Sequence, residues 1–336
     1  MSINETNNSS SIANSNDTNN DSGDTGTEPM SRGRVIGLLL LGALGISFSP
    51  VLVKMVGHGA VGPTAIAFWR TLIGGISLVL LAKVQGISLR LSRRAFLWCL
   101  FTGFFFFIDL GLWHRSILYV GAGMATILGN TQVFSTALLS VFIFKEKITF
   151  RFITAAVAAM CGVTLLVGVW SEDVNFTALY IRGVVYGLLT GLMYAFYMVG
   201  IKKAGEGTGT GSTKTKSEPI AVVAWLCLSS AFFNGFGSIF EEGVFLPPDM
   251  RAALVLVVLG VVVQALAWWL IAGVLQKIEI HLAAMILLLQ PVLAMVWGFL
   301  FFAEVLVPLQ IVGAAITLVA IYVGSSGPKP GQSKQA

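Results

Sequence analysis

The sequence predicts an all-α integral membrane protein of ten transmembrane helices, arranged as two inverted five-helix repeats. Three observations predict it. Of the 336 residues, 56% are hydrophobic and only 11% charged, whereas a soluble globular chain carries about 25% charged residues. After Arg34, apolar runs close to the roughly 20 residues that cross a hydrocarbon layer recur at regular intervals to the end of the chain. The basic residues gather in alternate connecting segments, as orientation in a bilayer requires.

The expected spans are Val35–Val53, Pro63–Ala82, Ala95–Trp113, Gly121–Phe144, Phe152–Val169, Gly183–Ile201, Ile220–Phe240, Ala252–Val274, Leu282–Phe301 and Pro308–Val323. The runs are continuously apolar, whereas a membrane strand alternates every second residue. Helices are therefore expected throughout. Cys99, Cys161 and Cys227 each fall inside an apolar run and read as small buried hydrophobes, not as a disulfide framework.

Residues Met1–Ser31 are rich in Asn, Ser, Asp and Thr and offer almost nothing to bury, which predicts a disordered tail. Their acidic, polar start lacks the basic-then-apolar order of a secretory signal. With the N-terminus in the cytoplasm, 16 of the 21 Lys and Arg fall on the inner side. Only Lys54, Arg115, Arg182 and Arg251 fall outside, and Arg70 lies within a helix. Both termini are thus expected to be cytoplasmic, in a multi-pass inner membrane protein. The same topology accounts for the basic pI of about 9.2 without a nucleic-acid partner.

Sliding the chain on itself by 158 positions superposes Gln132 on Gln290, Phe144 on Phe302, Glu146 on Glu304, Ile153 on Ile311 and Ala156 on Ala314. Each pair occupies the same place in a helix–Glu–helix hairpin. Five helices per half is an odd number, so the second copy is inverted in the membrane, as in many secondary transporters. The expected organisation is a cytoplasmic tail at 1–31, repeats at 32–171 and 172–324, and a second tail at 325–336. A flexible Gly/Thr/Ser/Lys linker is expected at 202–218.

The sequence resembles the EamA-like members of the drug/metabolite transporter superfamily over nearly all of Arg34 to Gly324. The residues carrying the resemblance are Ser47–Lys54 (SFSPVLVK), Phe68-Trp69-Arg70, the segment Gly183–Lys203, and Pro291…Glu304…Gln310…Gly313. Where the second half has Pro291, Gln310 and Gly313, the first has Val133, Phe152 and Ala155. The resemblance implies an exporter or exchanger of amino acids, metabolites or drugs, with a cavity between the halves and no bound cofactor.

An ionisable group at membrane depth costs about 2.5–3.5 kcal/mol on insertion scales, so it needs a partner or a task. Arg70 and Asp109 are in that position, at matching depth on consecutive antiparallel helices. They form either a structural pair or a contact for substrate or protons. Asn130, Gln132, Gln264 and Gln290 are uncharged polar residues near mid-bilayer. Gln132, Thr136 and Ser140 recur every four residues, as do Tyr186, Thr190 and Tyr194, followed by Tyr197. Each set forms one helical stripe. Such stripes line a cavity or pack against another helix, with Gln132, Thr136 and Thr190 the cavity candidates.

Glu146 and Glu304 are expected to sit hydrated at hairpin ends, and His114 and His281 to be interfacial polar residues. No Cys/His spacing suits a metal site and no Walker sequence is present, so neither metal chemistry nor ATP drive is expected. An embedded enzyme would need a catalytic constellation, and none is evident. A sensor or assembly factor using the fold for packing alone stays open. One internal basic residue, Arg70, favours a neutral or zwitterionic small molecule over a phosphorylated one.

Overall fold

The computed structural model describes residues 30–56, 61–167, 177–206, 217–241, 243–303 and 307–326. Nearly all of the N-terminal tail, Glu304, the linker at 207–216 and the C-terminal residues 327–336 lie outside the described residues. Among the described residues, ten helices are long and apolar enough to cross a membrane: α1 Arg32–Val56, α2 Pro63–Val84, α3 Arg93–Val120, α4 Met124–Phe144 and α5 Phe150–Val167. The others are α6 Ala178–Gly205, α7 Pro219–Ser238, α8 Met250–Leu275, α9 Ile280–Phe302 and α10 Pro308–Ser325. Among the described residues there is no strand.

Local chemistry sets the helix ends. Proline occupies the first turn of α2, α7 and α10, where its missing N–H costs nothing. Ser92, Thr177 and Asp249 cap α3, α6 and α8 by accepting the N–H of Ala95, Tyr180 and Ala252 at 3.2, 3.2 and 2.7 Å, each satisfying a donor the helix cannot. α4 and α9 end on left-handed residues, Lys145 (φ 54°) and Ala303 (φ 50°). These are the only non-glycine residues with positive φ among those described, and they stand 158 positions apart.

Three helices are interrupted near their middles. α1 breaks at Phe48, just before Pro50, and α9 breaks at Leu287–Leu288, just before Pro291. Proline explains both, since it cannot complete the ladder to the preceding turn. α4 breaks at Thr131 without a proline. There the Thr131 hydroxyl donates back to the Leu128 carbonyl at 2.5 Å, and Asn130 Nδ2 donates to Thr126 O at 2.7 Å. α8 contains a π-helical stretch at Leu259–Ala267, a widened form often found at functional sites.

Packing follows a reciprocal pattern. α2 packs on α7, α4 on α9 and α5 on α10; α3 packs on α6 as α1 does on α8, and α3 on α7 as α2 does on α8. Exchanging each helix with the one five along returns the same set. α5 and α10 come together at Gly162 and Gly313, where a Cβ on Gly162 would lie 2.8 Å from the Gly313 carbonyl oxygen; only glycine permits that approach. Lys202 near the end of α6 lies over the Phe144 ring at 4.8 Å, and Lys54 near the end of α1 over Phe302 at 4.1 Å. Large apolar side chains such as Leu80, Phe142, Phe232 and Tyr322 face outward, as lipid contact requires.

Candidate functional site

A cavity of about 370 Å³ lies where the two sets of five helices meet. Its wall includes Ser47 and Ser49 from α1, Arg70 from α2, Asp109 from α3, Gln132 from α4, Thr190 and Tyr194 from α6, Trp268 from α8 and Gln290 from α9. The breaks in α1, α4 and α9 all fall at this level. At a break the chain swaps backbone hydrogen bonds for side-chain ones, and polar residues gather there. Trp113, late in α3, and Gln310, early in α10, also line it, so the cavity reaches toward the end of the bundle opposite the α4–α5 turn.

Arg70 is buried, at 5% exposure. Its Nε donates to Gln264 Oε1 at 3.1 Å and its Nη1 to Ser49 Oγ at 3.3 Å. Gln264 comes from the π-helical stretch of α8, and its Nε2 also donates to Cys227 Sγ at 3.5 Å. α2 and α8 are close enough to support this because Gly74 faces Gln264, with 2.9 Å between a notional Cβ and Cγ. The Arg70 guanidinium sits 5.9 Å from the Phe106 ring centroid. Phe106 stacks on Tyr197 at 4.4 Å, and Tyr197 meets Trp268 edge to face at 4.7 Å.

The expected Arg70–Asp109 pair does not form as a contact ion pair. Both residues line the cavity, but the guanidinium is drawn to neutral acceptors on α1 and α8, and no ion pair to Asp109 is found among the described residues. Asp109 is 4% exposed and its Oδ1 has no hydrogen-bond partner. Gln132 Oε1, Thr190 Oγ1, Tyr194 OH and Gln290 Nε2 are likewise buried and unpartnered; Tyr194 and Gln290 stand side by side without bonding geometry. A protein normally pairs nearly all such groups. Among the described residues, five of the eight buried side-chain atoms without a partner belong to residues that line this one cavity.

The α4–α5 turn is the opposite case. Glu146 was expected to be hydrated, yet its side chain is only 9% exposed. Its Oε1 accepts from Lys202 Nζ at 2.9 Å and from Ile280 N at 3.0 Å, and its Oε2 accepts from Ile280 N at 3.1 Å and from His281 Nδ1 at 2.7 Å. Lys202 also donates to Ile278 O at 2.9 Å, while His281 rests edge-on against Phe152. Burial alone would raise the Glu146 carboxyl. The His281 bond, the Lys202 charge and bond, and the Ile280 N–H outweigh it and hold the group down at about 2. One carboxylate thus ties α4–α5 to the end of α6 and the start of α9.

Of the residues singled out in the sequence, Gln132, Thr190, Tyr194, Asn130, Gln290, Arg70 and Asp109 line the cavity. Thr136 and Ser140 share the stripe of Gln132 but are fully buried away from it, with Ser140 Oγ donating to Ala137 O at 2.7 Å. Tyr197 and Gln264 lie one layer behind, supporting Arg70 and Phe106. His114 is half-buried, with its Nε2 buried and unpartnered. Ser47, Ser49, Phe106 and Trp268 were missed. The Ser-Phe-Ser-Pro sequence around the α1 break is the signal that could have found the two serines. Among the described residues no group of His, Cys, Asp and Glu could hold a metal ion.

A family model described as the EamA-like transporter family matches residues 33–168 and again 181–326. A relative named "probable amino-acid metabolite efflux pump" in Salmonella typhimurium is 24% identical over 72% of this chain and 75% of its own length. A protein of the same name in Escherichia coli is 22% identical over 87% of this chain and 94% of its own. A solved structure shares the fold with a TM-score of 0.75 at 16% identity, covering 88% of this chain and 99% of that one.

Proposed function

Because the chain belongs to the EamA-like transporter family, we propose that it is a secondary transporter moving a small neutral or zwitterionic metabolite, an amino acid foremost, by export or exchange. The observation that carries the substrate class is the cavity wall. It offers one guanidinium and one carboxylate that are not spent on each other. An α-amino acid presents the complementary pair: its carboxylate suits Arg70 and its ammonium suits Asp109. Gln132, Thr190, Tyr194 and Gln290 supply further bonds, and Phe106 and Trp268 receive an apolar side chain. The volume, about 370 Å³, falls within the roughly 300–1,000 Å³ of small-molecule sites. Relatives named as amino-acid metabolite efflux pumps support the same reading.

Transport by alternating access requires the two halves, oppositely oriented in the bilayer, to rock about the site. The reciprocal helix packing and the equivalent turns at Lys145 and Ala303 support that arrangement. The basic-residue distribution supports a topology with both termini and the Glu146 cluster on the cytoplasmic face. In that orientation Glu146 fastens the inner end while the cavity reaches outward. Proteoliposomes loaded with tritiated amino acids test the reading: labelled neutral amino acids should exchange, and Gln132→Ala and Tyr194→Ala should slow them without loss of folded protein. Absence of flux for the whole amino-acid panel would refute the substrate assignment.

A further inference from the structure

We propose that Asp109 is a proton-binding site within the cavity, and that its proton exchanges with the ammonium of the transported molecule, so that export runs against an entering proton. The proposal rests on the amino-acid reading above for the second half of the exchange, but not for the first. Its basis is geometric. Asp109 lines the cavity at 4% exposure, its Oδ1 has no hydrogen-bond partner, and no basic nitrogen is within ion-pair distance among the described residues.

An isolated buried carboxylate is too costly to persist without compensation; it takes a proton or a cationic partner. The charged and titratable groups that act on it are Arg70 on α2 and Tyr194 and Tyr197 on α6, with His114 and Arg115 following on its own helix. None compensates it by contact. Arg70 is held by Gln264 and Ser49, and Arg115 Nη1 donates to the Gly111 carbonyl at 3.0 Å. Arg70 acts on it only through space, so the place of a contacting partner is open to a group from outside the protein. A substrate ammonium fills that place in the loaded state, and a proton from water fills it once the substrate has left. One site taking either, never both, couples their movements one for one. The proton passes from bulk water to a carboxylate oxygen and back, with no bond to carbon made or broken.

The test has two arms on the full-length chain. Infrared titration of the purified protein, with no substrate present, should show a carboxylic-acid carbonyl band that is missing in Asp109→Asn and shifted in Asp109→Glu. If the band is unchanged in Asp109→Asn, the proposal is overturned whatever the transport result. In proteoliposomes with the membrane potential clamped, one pH unit of gradient should drive about tenfold accumulation of a mixture of tritiated neutral L-amino acids in wild type, and none in Asp109→Asn. Flux indifferent to the gradient overturns the coupling while leaving transport intact. If no amino acid moves but the band is that of Asp109, the amino-acid reading falls and the proton site stands.

Discussion

Asp109 and Glu146 are both acidic side chains withdrawn from the surface, and they are treated in opposite ways. Glu146 meets a lysine, a histidine and a backbone N–H contributed by α6 and α9. Asp109 meets nothing that bonds its Oδ1. The difference teaches how to separate fastening from function in a membrane protein. A satisfied carboxylate spends its charge holding helices together, whereas an unsatisfied one is available to a ligand, and the protein around it must be stable enough to carry the cost.

The largest effect should come from breaking the satisfied site. Glu146→Ala strands Lys202 and His281, and breaking a buried pair costs about 3–5 kcal/mol, so thermal unfolding in detergent should show a large loss. Acid should act on the same group. Its folded value of about 2 lies below the ordinary 4.5; its contribution is present above 4.5 and disappears as pH falls toward 2. The stability gap between wild type and Glu146→Gln should therefore close between pH 5 and pH 2. A constant gap would mean the carboxylate charge is not what holds the turn.

Double-mutant cycles sharpen the contrast. Glu146→Ala with Lys202→Ala should show a coupling of about 1–3 kcal/mol, while Arg70→Ala with Asp109→Asn should show well under half of that, because only the first pair is in contact. Equal couplings would restore Arg70 and Asp109 as a structural pair. The smallest effect is expected from Tyr194→Phe. Removing an unpartnered buried hydroxyl should leave stability within about 1 kcal/mol of wild type or improve it, while slowing amino-acid exchange. Ser47→Ala is the matching control. It deletes the acceptor of Trp297 Nε1, a 2.8 Å bond, and should cost about 1 kcal/mol.

The ten spans were legible because hydropathy is a property of whole segments: Val35–Val53, for example, is found inside Arg32–Val56. The depth of individual side chains was less so. A four-residue spacing fixes the direction in which Gln132, Thr136 and Ser140 point, but not which neighbour covers each. The cavity opens from the level of the helix breaks away from the α4–α5 turn, so Gln132 reaches it and the other two, which lie nearer that turn, do not. The break in α4 was not legible, since it is made by Thr131 and Asn130 side chains where α9 uses Pro291. Nor was the burial of Glu146, because its donors come from residues 56 and 134–135 positions away. Matching depth brought Arg70 and Asp109 to one cavity, but depth says nothing of the competing acceptors Gln264 and Ser49.

The paired turns at Lys145 and Ala303 give the molecule a built-in control experiment. Each follows a phenylalanine, Phe144 or Phe302, that lies beneath a lysine from the end of a helix five places from its counterpart, Lys202 or Lys54. The same alteration can thus be made at two equivalent stations of one polypeptide, with expression, lipid and detergent held constant. A response shared by Lys202 and Lys54 measures the common scaffold, and a response confined to one station measures what is particular to that end of the molecule.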